Sequence, residues 1–193
     1  MTSPVICDYC EAVQPSAGMA DHYSLFGLEP RYDLDESALH ERYVRLSRHA
    51  HPDYHVDETP EVQTLHLNVA AALNEAYRTL ADPVRRAGYL LTLLGGPSSA
   101  DDKSVPDGFL GTMMMMQEEL EEARESGDQG QIERLRHVLK TQHDGLLRRV
   151  SKLFEDLEHA VGCEAVRQDL LGEIRRQLNA ISYVRKLQSM TDG

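Results

Sequence analysis

Apolar residues in this chain recur every three or four positions along six segments, and nowhere do they alternate at period two for the length of a strand. That spacing puts apolar side chains on one face of a helix and restricts the chain to an all-α fold. Composition agrees: aromatics are 6% with no Trp, too few for a β-sandwich. Apolar residues at 41% and charged residues at 27% are those of a globular chain rather than a disordered one.

Two helices stand out in the first half. Leu39, Tyr43, Leu46 and Ala50 share one face, with Ser37 or Asp35 as the cap and Arg42, Arg45 and Arg48 on the opposite side. Pro52 stops this helix, because the residue before proline is pushed out of the α region. Leu65, Val69, Ala72, Leu73, Ala76, Tyr77 and Leu80 predict a second long helix ending near Asp82-Pro83. A third segment, Val84 to Leu94, runs into the stop signal Gly95-Gly96. The long pair is expected to lie antiparallel about the intervening loop.

Residues 95–107, GGPSSADDKSVPD, read as a linker rich in Gly, Ser and Pro. Beyond it, Phe109 to about Glu125 predicts one helix. Ile132, Leu135, Leu139, Leu146, Val150, Leu153 and Leu157 predict another, and Gly162 separates it from a last one carried by Val166, Leu170, Ile174, Leu178, Ile181 and Val184. Three amphipathic helices with short connections make a bundle. The expected organisation is a leader over 1–20, a helical unit over 21–94, the linker over 95–107 and a three-helix bundle over 108–193.

Charge and cysteine content exclude several function classes. Twenty Lys+Arg against 32 Asp+Glu leave a net charge of -12, unsuited to neutralising phosphates, so no nucleic-acid partner is expected. No apolar run approaches the roughly 20 residues of a membrane span. Cys7, Cys10 and Cys163 form no disulfide framework and suit a reducing compartment. Residues 1–20 hold no Lys or Arg, unlike a secretory or transit peptide, so the expected location is the cytoplasm, ahead of a mitochondrial matrix.

His51-Pro52-Asp53 occupies the loop between the two long helices of the first unit. Alone it is a helix stop with a solvated carboxylate. Beside Arg42, Arg45 and Arg48 it forms an exposed polar recognition surface. Asp21-His22-Tyr23-Ser24-Leu25-Phe26-Gly27-Leu28 resembles the D-Y-x-x-L-G-L opening of a J-domain. The basic helix, the His51-Pro52-Asp53 loop and a following helix with Asn74-Glu75-Ala76-Tyr77 match that family in order. Ala81-Asp82-Pro83 and Arg85-Arg86-Ala87-Gly88-Tyr89-Leu90-Leu91 resemble its HscB-type branch, the co-chaperones of iron–sulfur cluster assembly, in which a three-helix bundle follows the J-domain.

The resemblance, which covers residues 21 to about 190, implies a binding protein and not an enzyme. His51, Pro52 and Asp53 would contact a DnaK/HscA-type ATPase chaperone, and Arg42, Arg45 and Arg48 would meet its acidic face. The bundle would hold an IscU-type scaffold protein. By alignment through Phe109-Leu110 and Glu118-Glu119-Leu120, its scaffold contacts map to Leu110, Met114, Met115, Glu118 and Glu122, with Tyr183 in place of a family aromatic. Gly111 stands where the family has an apolar contact, and Met115 where it has an acid. The four methionines Met113 to Met116 span most of a helix circumference, so at least one or two are expected to be exposed. The expected state is a monomer or a weak homodimer.

Cys7-x-x-Cys10 has zinc-ligand spacing but supplies two of the four ligands of a closed site. Cys7 to Gln14 is similar to the second half of a zinc module found in some HscB-type proteins. It is a remnant in a mobile tail, half of a site between two chains, or a pair that recruits His22 or another ligand. No other cofactor is expected. Cys163 is expected to be a small buried residue. Two competing readings have different chemistry. His49-x-His51-x-Asp53, with His55 nearby, resembles the metal-binding loop of metallo-β-lactamase-like hydrolases, which belong to an αβ/βα sandwich. A J-domain or plain helical adaptor with another client is the other.

Overall fold

The computed structural model describes residues 5, 13–14, 20–51, 58–160 and 162–191. These residues form seven helices and no strand, apart from a lone bridge residue at Val13. The helices are α1 (His22–Leu25), α2 (Glu36–Ala50), α3 (Pro60–Ala81), α4 (Pro83–Leu93), α5 (Phe109–Ser126), α6 (Gln129–His159) and α7 (Glu164–Thr191). The chain divides into two compact units, residues 1–86 and 87–193, and the division falls inside α4.

In the N-terminal unit, local chemistry sets each boundary. Asp21 caps α1 by accepting from Tyr23 N and Ser24 N. Asp35 is the cap of α2, its carboxylate accepting from Ala38 N at 3.0 Å. That helix ends at His51, whose extended φ of -69° and ψ of 125° are those of a residue preceding proline. Pro60 opens α3 at a position where its missing N–H is no loss. Asp82 then accepts from Val84 N at 2.8 Å and Arg85 N at 3.0 Å, starting α4 one residue after α3 stops. The core joins Tyr23 and Leu25 of α1 and Phe26 directly after it, Leu39, Leu46 and Ala50 from α2, and Val69, Leu73, Ala76 and Leu80 from α3. Arg86 is buried beneath it: its guanidinium lies 5.3 Å from the Tyr32 ring centroid and donates to Leu80 O at 2.7 Å.

In the C-terminal unit, α5, α6 and α7 pack as the three-helix bundle. Gly127, at φ 69°, ends α5, and Asp128 N donates back to Ala123 O at 2.9 Å. The Asp128 carboxylate then accepts from Gln131 N at 2.9 Å and caps α6, so two residues reverse the chain. Gly162, at φ 89°, makes the second turn. Met113, Leu139, Val184 and Leu187 form one core layer, and Leu120, Ala123, Ile132 and Leu135 the next.

The Gly/Ser/Pro segment before α5 is fastened to α7. Arg167 donates to Leu94 O at 2.8 Å and Arg175 to Pro97 O at 2.9 Å. Asn179 Nδ2 donates to both Asp102 O and Ser104 O at 2.9 Å. The side chains of this segment are exposed or half-exposed, yet its main-chain acceptors are taken by polar groups of α7, of which Arg175 and Asn179 are buried. It forms an ordered strap along the bundle.

Candidate functional site

The basic face of α2 divides into two parts. Arg45 and Arg48 are exposed and, with His40, Glu41, Val44 and His49, line a shallow depression of about 440 Å³. His51 is exposed at the end of the same helix. Arg42, read from the sequence as part of the exposed polar surface, is half-buried. Its Nη1 donates to Phe26 O at 2.8 Å and Gly27 O at 3.0 Å, ending α1 against α2. Pro52 and Asp53 lie outside the described residues, as does His55.

Sequence periodicity assigned Tyr43 and Tyr77 to apolar faces, but both are half-exposed and polar in their contacts. Their rings stack at 4.2 Å and 12°. Tyr43 OH donates to Asn74 Oδ1 at 2.7 Å, and His40 Nδ1 lies 2.9 Å from Tyr77 OH. This cluster ties α2 to α3 on the outside of the helix pair. Only a one-turn pairing of aromatic and polar residues across the loop hints at it in the sequence.

On α5 the four methionines divide as helix geometry requires. Met113 is 5% exposed in the core, Met116 packs partly against it, and Met114 and Met115 are each 63% exposed. Leu110, at 47%, continues that apolar surface. Glu118 and Glu122 are exposed one and two turns beyond, and among the described residues neither is in a salt bridge. Tyr183 of α7 is 44% exposed and meets Phe109 edge-to-face, with centroids 6.3 Å apart at 70°. Phe109, which the sequence used only as an alignment anchor, therefore links the Tyr183 ring to the start of the α5 surface.

Cys7 and Cys10 lie outside the described residues. On either side of them Gln14 N donates to Val5 O at 2.8 Å, and Val5 and Val13 are buried. His22, a candidate further ligand, sits in α1. Burial lowers its pKa from the usual value, partly opposed by the negative charges of Glu75 and Asp21. Cys163 is exposed, contrary to the expected burial. It stands just before α7, and its carbonyl accepts from Arg167 N at 3.0 Å. A residue at the mouth of a helix after a left-handed glycine is held out of the bundle core. The αβ/βα sandwich needed by the hydrolase reading is absent among the described residues, whose regular elements are all helices. No helix among them is long and apolar enough to cross a membrane.

Comparison with known proteins follows the same division. A family model described as the DnaJ domain matches residues 21–89. One described as the HSCB C-terminal oligomerisation domain matches residues 105–190. The co-chaperone protein HscB homolog of Ralstonia nicotianae is 33% identical over 149 residues, covering 76% of this chain and 85% of that protein. The crystal structure of human co-chaperone protein HscB superposes with a TM-score of 0.80 at 24% identity, over 100% of this chain and 90% of that one. Chaperone HscB from Vibrio cholerae gives 0.74 at 24% identity, over 90% and 96%. At that identity the two structures speak for the fold.

Proposed function

The chain belongs to the HscB co-chaperone family, and from that premise we propose that it holds an IscU-type scaffold protein on α5 and delivers it to a DnaK/HscA-type chaperone during iron–sulfur cluster assembly. His51, Pro52 and Asp53 act on the chaperone's ATPase. Arg45 and Arg48 steer the encounter with an acidic face of that partner, a role in which rim charges raise the association rate more than the final affinity. Stimulation is allosteric coupling. The docked J-domain must bind the hydrolysis-competent state of the chaperone better than its resting state. ATP is hydrolysed by the partner, and this chain contributes no catalytic group.

The observation that carries the reading is the uncovered apolar end of α5, followed by acids, on a bundle joined to a J-domain. Leu110, Met114, Met115 and Tyr183 supply adaptable contact area, to which thioethers are suited. Glu118 and Glu122 supply charge to a basic partner segment. Gly111 and Met115 make the surface less acidic and differently shaped from the family pattern. The test is titration of the same organism's IscU-type scaffold onto the full chain and onto the variant with Leu110, Met114 and Met115 all replaced by alanine. Binding by the parent and its loss in the variant are expected. Equal binding by both would remove the assignment of α5.

A further inference from the structure

The exposed face of α5 is interrupted at Gly111. Counting about 100° per residue, Phe109, Met113, Met116, Leu120 and Ala123 share the stripe turned to the bundle. Gly111 falls opposite that stripe, between Met114 and Met115 of the next turn and beside Leu110. A Cβ placed at Gly111 would meet nothing within 4 Å, and the same holds at Gly108 one turn earlier. The middle of the apolar surface is therefore bare backbone, with the exposed Met114 and Met115 one turn further along the same face. Glu118 lies on the same line, about 10 Å further along the axis.

Local helix stability does not account for a glycine here. A glycine inside a helix is less favourable than alanine, because it loses more backbone freedom on folding. This turn also lacks a capping side chain and a first-turn acid. What the glycine provides is space against the backbone. From this geometry we infer that Gly111 determines specificity at this surface by leaving a notch for one projecting apolar side chain of the partner. The matching element is a leucine- or methionine-sized side chain with a lysine or arginine about 10 Å away, because the unpaired carboxylates of Glu118 and Glu122 select a basic neighbour. The inference rests on the scaffold-binding reading above and names the shape that reading requires.

The experiment titrates the same organism's IscU-type scaffold onto the full chain carrying Gly111, Gly111→Ala or Gly111→Leu, with circular dichroism and thermal melting of each. Leucine at this exposed site keeps the helix content and does not lower the melting point. It fills the notch and weakens scaffold binding about tenfold or more, as overfilling a packed site does, while alanine weakens it only slightly. Alanine scanning of the scaffold's exposed apolar residues then yields one position whose effect disappears when Gly111→Leu is present. Equal or tighter binding by Gly111→Leu, or the absence of any coupled scaffold residue, overturns the notch and leaves the scaffold reading standing. Absence of binding by the unaltered chain overturns both.

Discussion

Replacing Arg42 by alanine is expected to destabilise the N-terminal unit, and to impair chaperone stimulation only as a consequence. One guanidinium nitrogen donates to two carbonyls, Phe26 O at 2.8 Å and Gly27 O at 3.0 Å, in a partly buried position. A hydrogen bond from a charged donor contributes about 1.5–3 kcal/mol. The two bonds share a donor, so they do not simply add, but their loss leaves two acceptors without a protein partner. The expected cost is about 2–3 kcal/mol. For a unit of this size that lowers its melting point by about 10–20 °C. Arg42→Lys keeps the charge without the planar fork and falls between. Arg45→Ala and Arg48→Ala, on exposed side chains, change stability by less than about 0.5 kcal/mol and instead slow association with the chaperone, most at low salt. Thermal melting of the full chain and stopped-flow association at two ionic strengths separate the cases. If Arg42→Ala melts with the parent and loses association as Arg45→Ala does, the inward reading of Arg42 is wrong.

Acid should weaken the N-terminal unit through Asp21. Burial alone would raise its pKa, but hydrogen bonds from Ser24 and Tyr23 outweigh it and hold the carboxyl below the usual 3.8. The stabilisation is complete above that usual value and is lost as pH falls through the lower folded one. Asp21→Asn should flatten the fall in melting point below about pH 4, and an unchanged profile would exclude the cap as its source. Asn179→Leu removes two of the four hydrogen bonds that fasten the strap and should cost about 1–3 kcal/mol; limited proteolysis should then cut faster within residues 98–104, and an unchanged cutting rate would contradict the strap. Gly172→Ala, in the middle of α7 with open space around its Cβ, should raise stability by about 0.5–1 kcal/mol, checked by denaturant unfolding.

Much of this fold was legible because helices announce themselves locally. The face of Leu39, Leu46 and Ala50, the stop at Pro52, the Asp82-Pro83 junction and the Gly127 and Gly162 turns follow from side-chain spacing and backbone preference. That at least one or two of the four methionines are exposed follows from helix geometry alone. A helix of four residues has too few turns to show a period, so α1 was not anticipated. It depends on the Asp21 cap and on burying Tyr23 and Leu25 against α3. Arg42 lies on the polar side of α2 by spacing, but a long guanidinium can turn back to carbonyls whose positions are set by tertiary structure. The strap could not be read either. Its composition is that of a loop, and the groups that fix it are main-chain carbonyls paired with polar residues far along α7. Phe109 and Tyr183 meet for the same non-local reason.

The central claim is that one chain couples a scaffold protein to a chaperone's ATPase. The measurement that tests it most directly is steady-state ATP hydrolysis by the same organism's DnaK/HscA-type chaperone, with this protein, with the IscU-type scaffold, and with both. The account predicts stimulation by both together that exceeds the sum of the separate effects and is lost in Asp53→Asn. Stimulation indifferent to the scaffold would contradict the client assignment, and no stimulation in any combination would contradict the account as a whole.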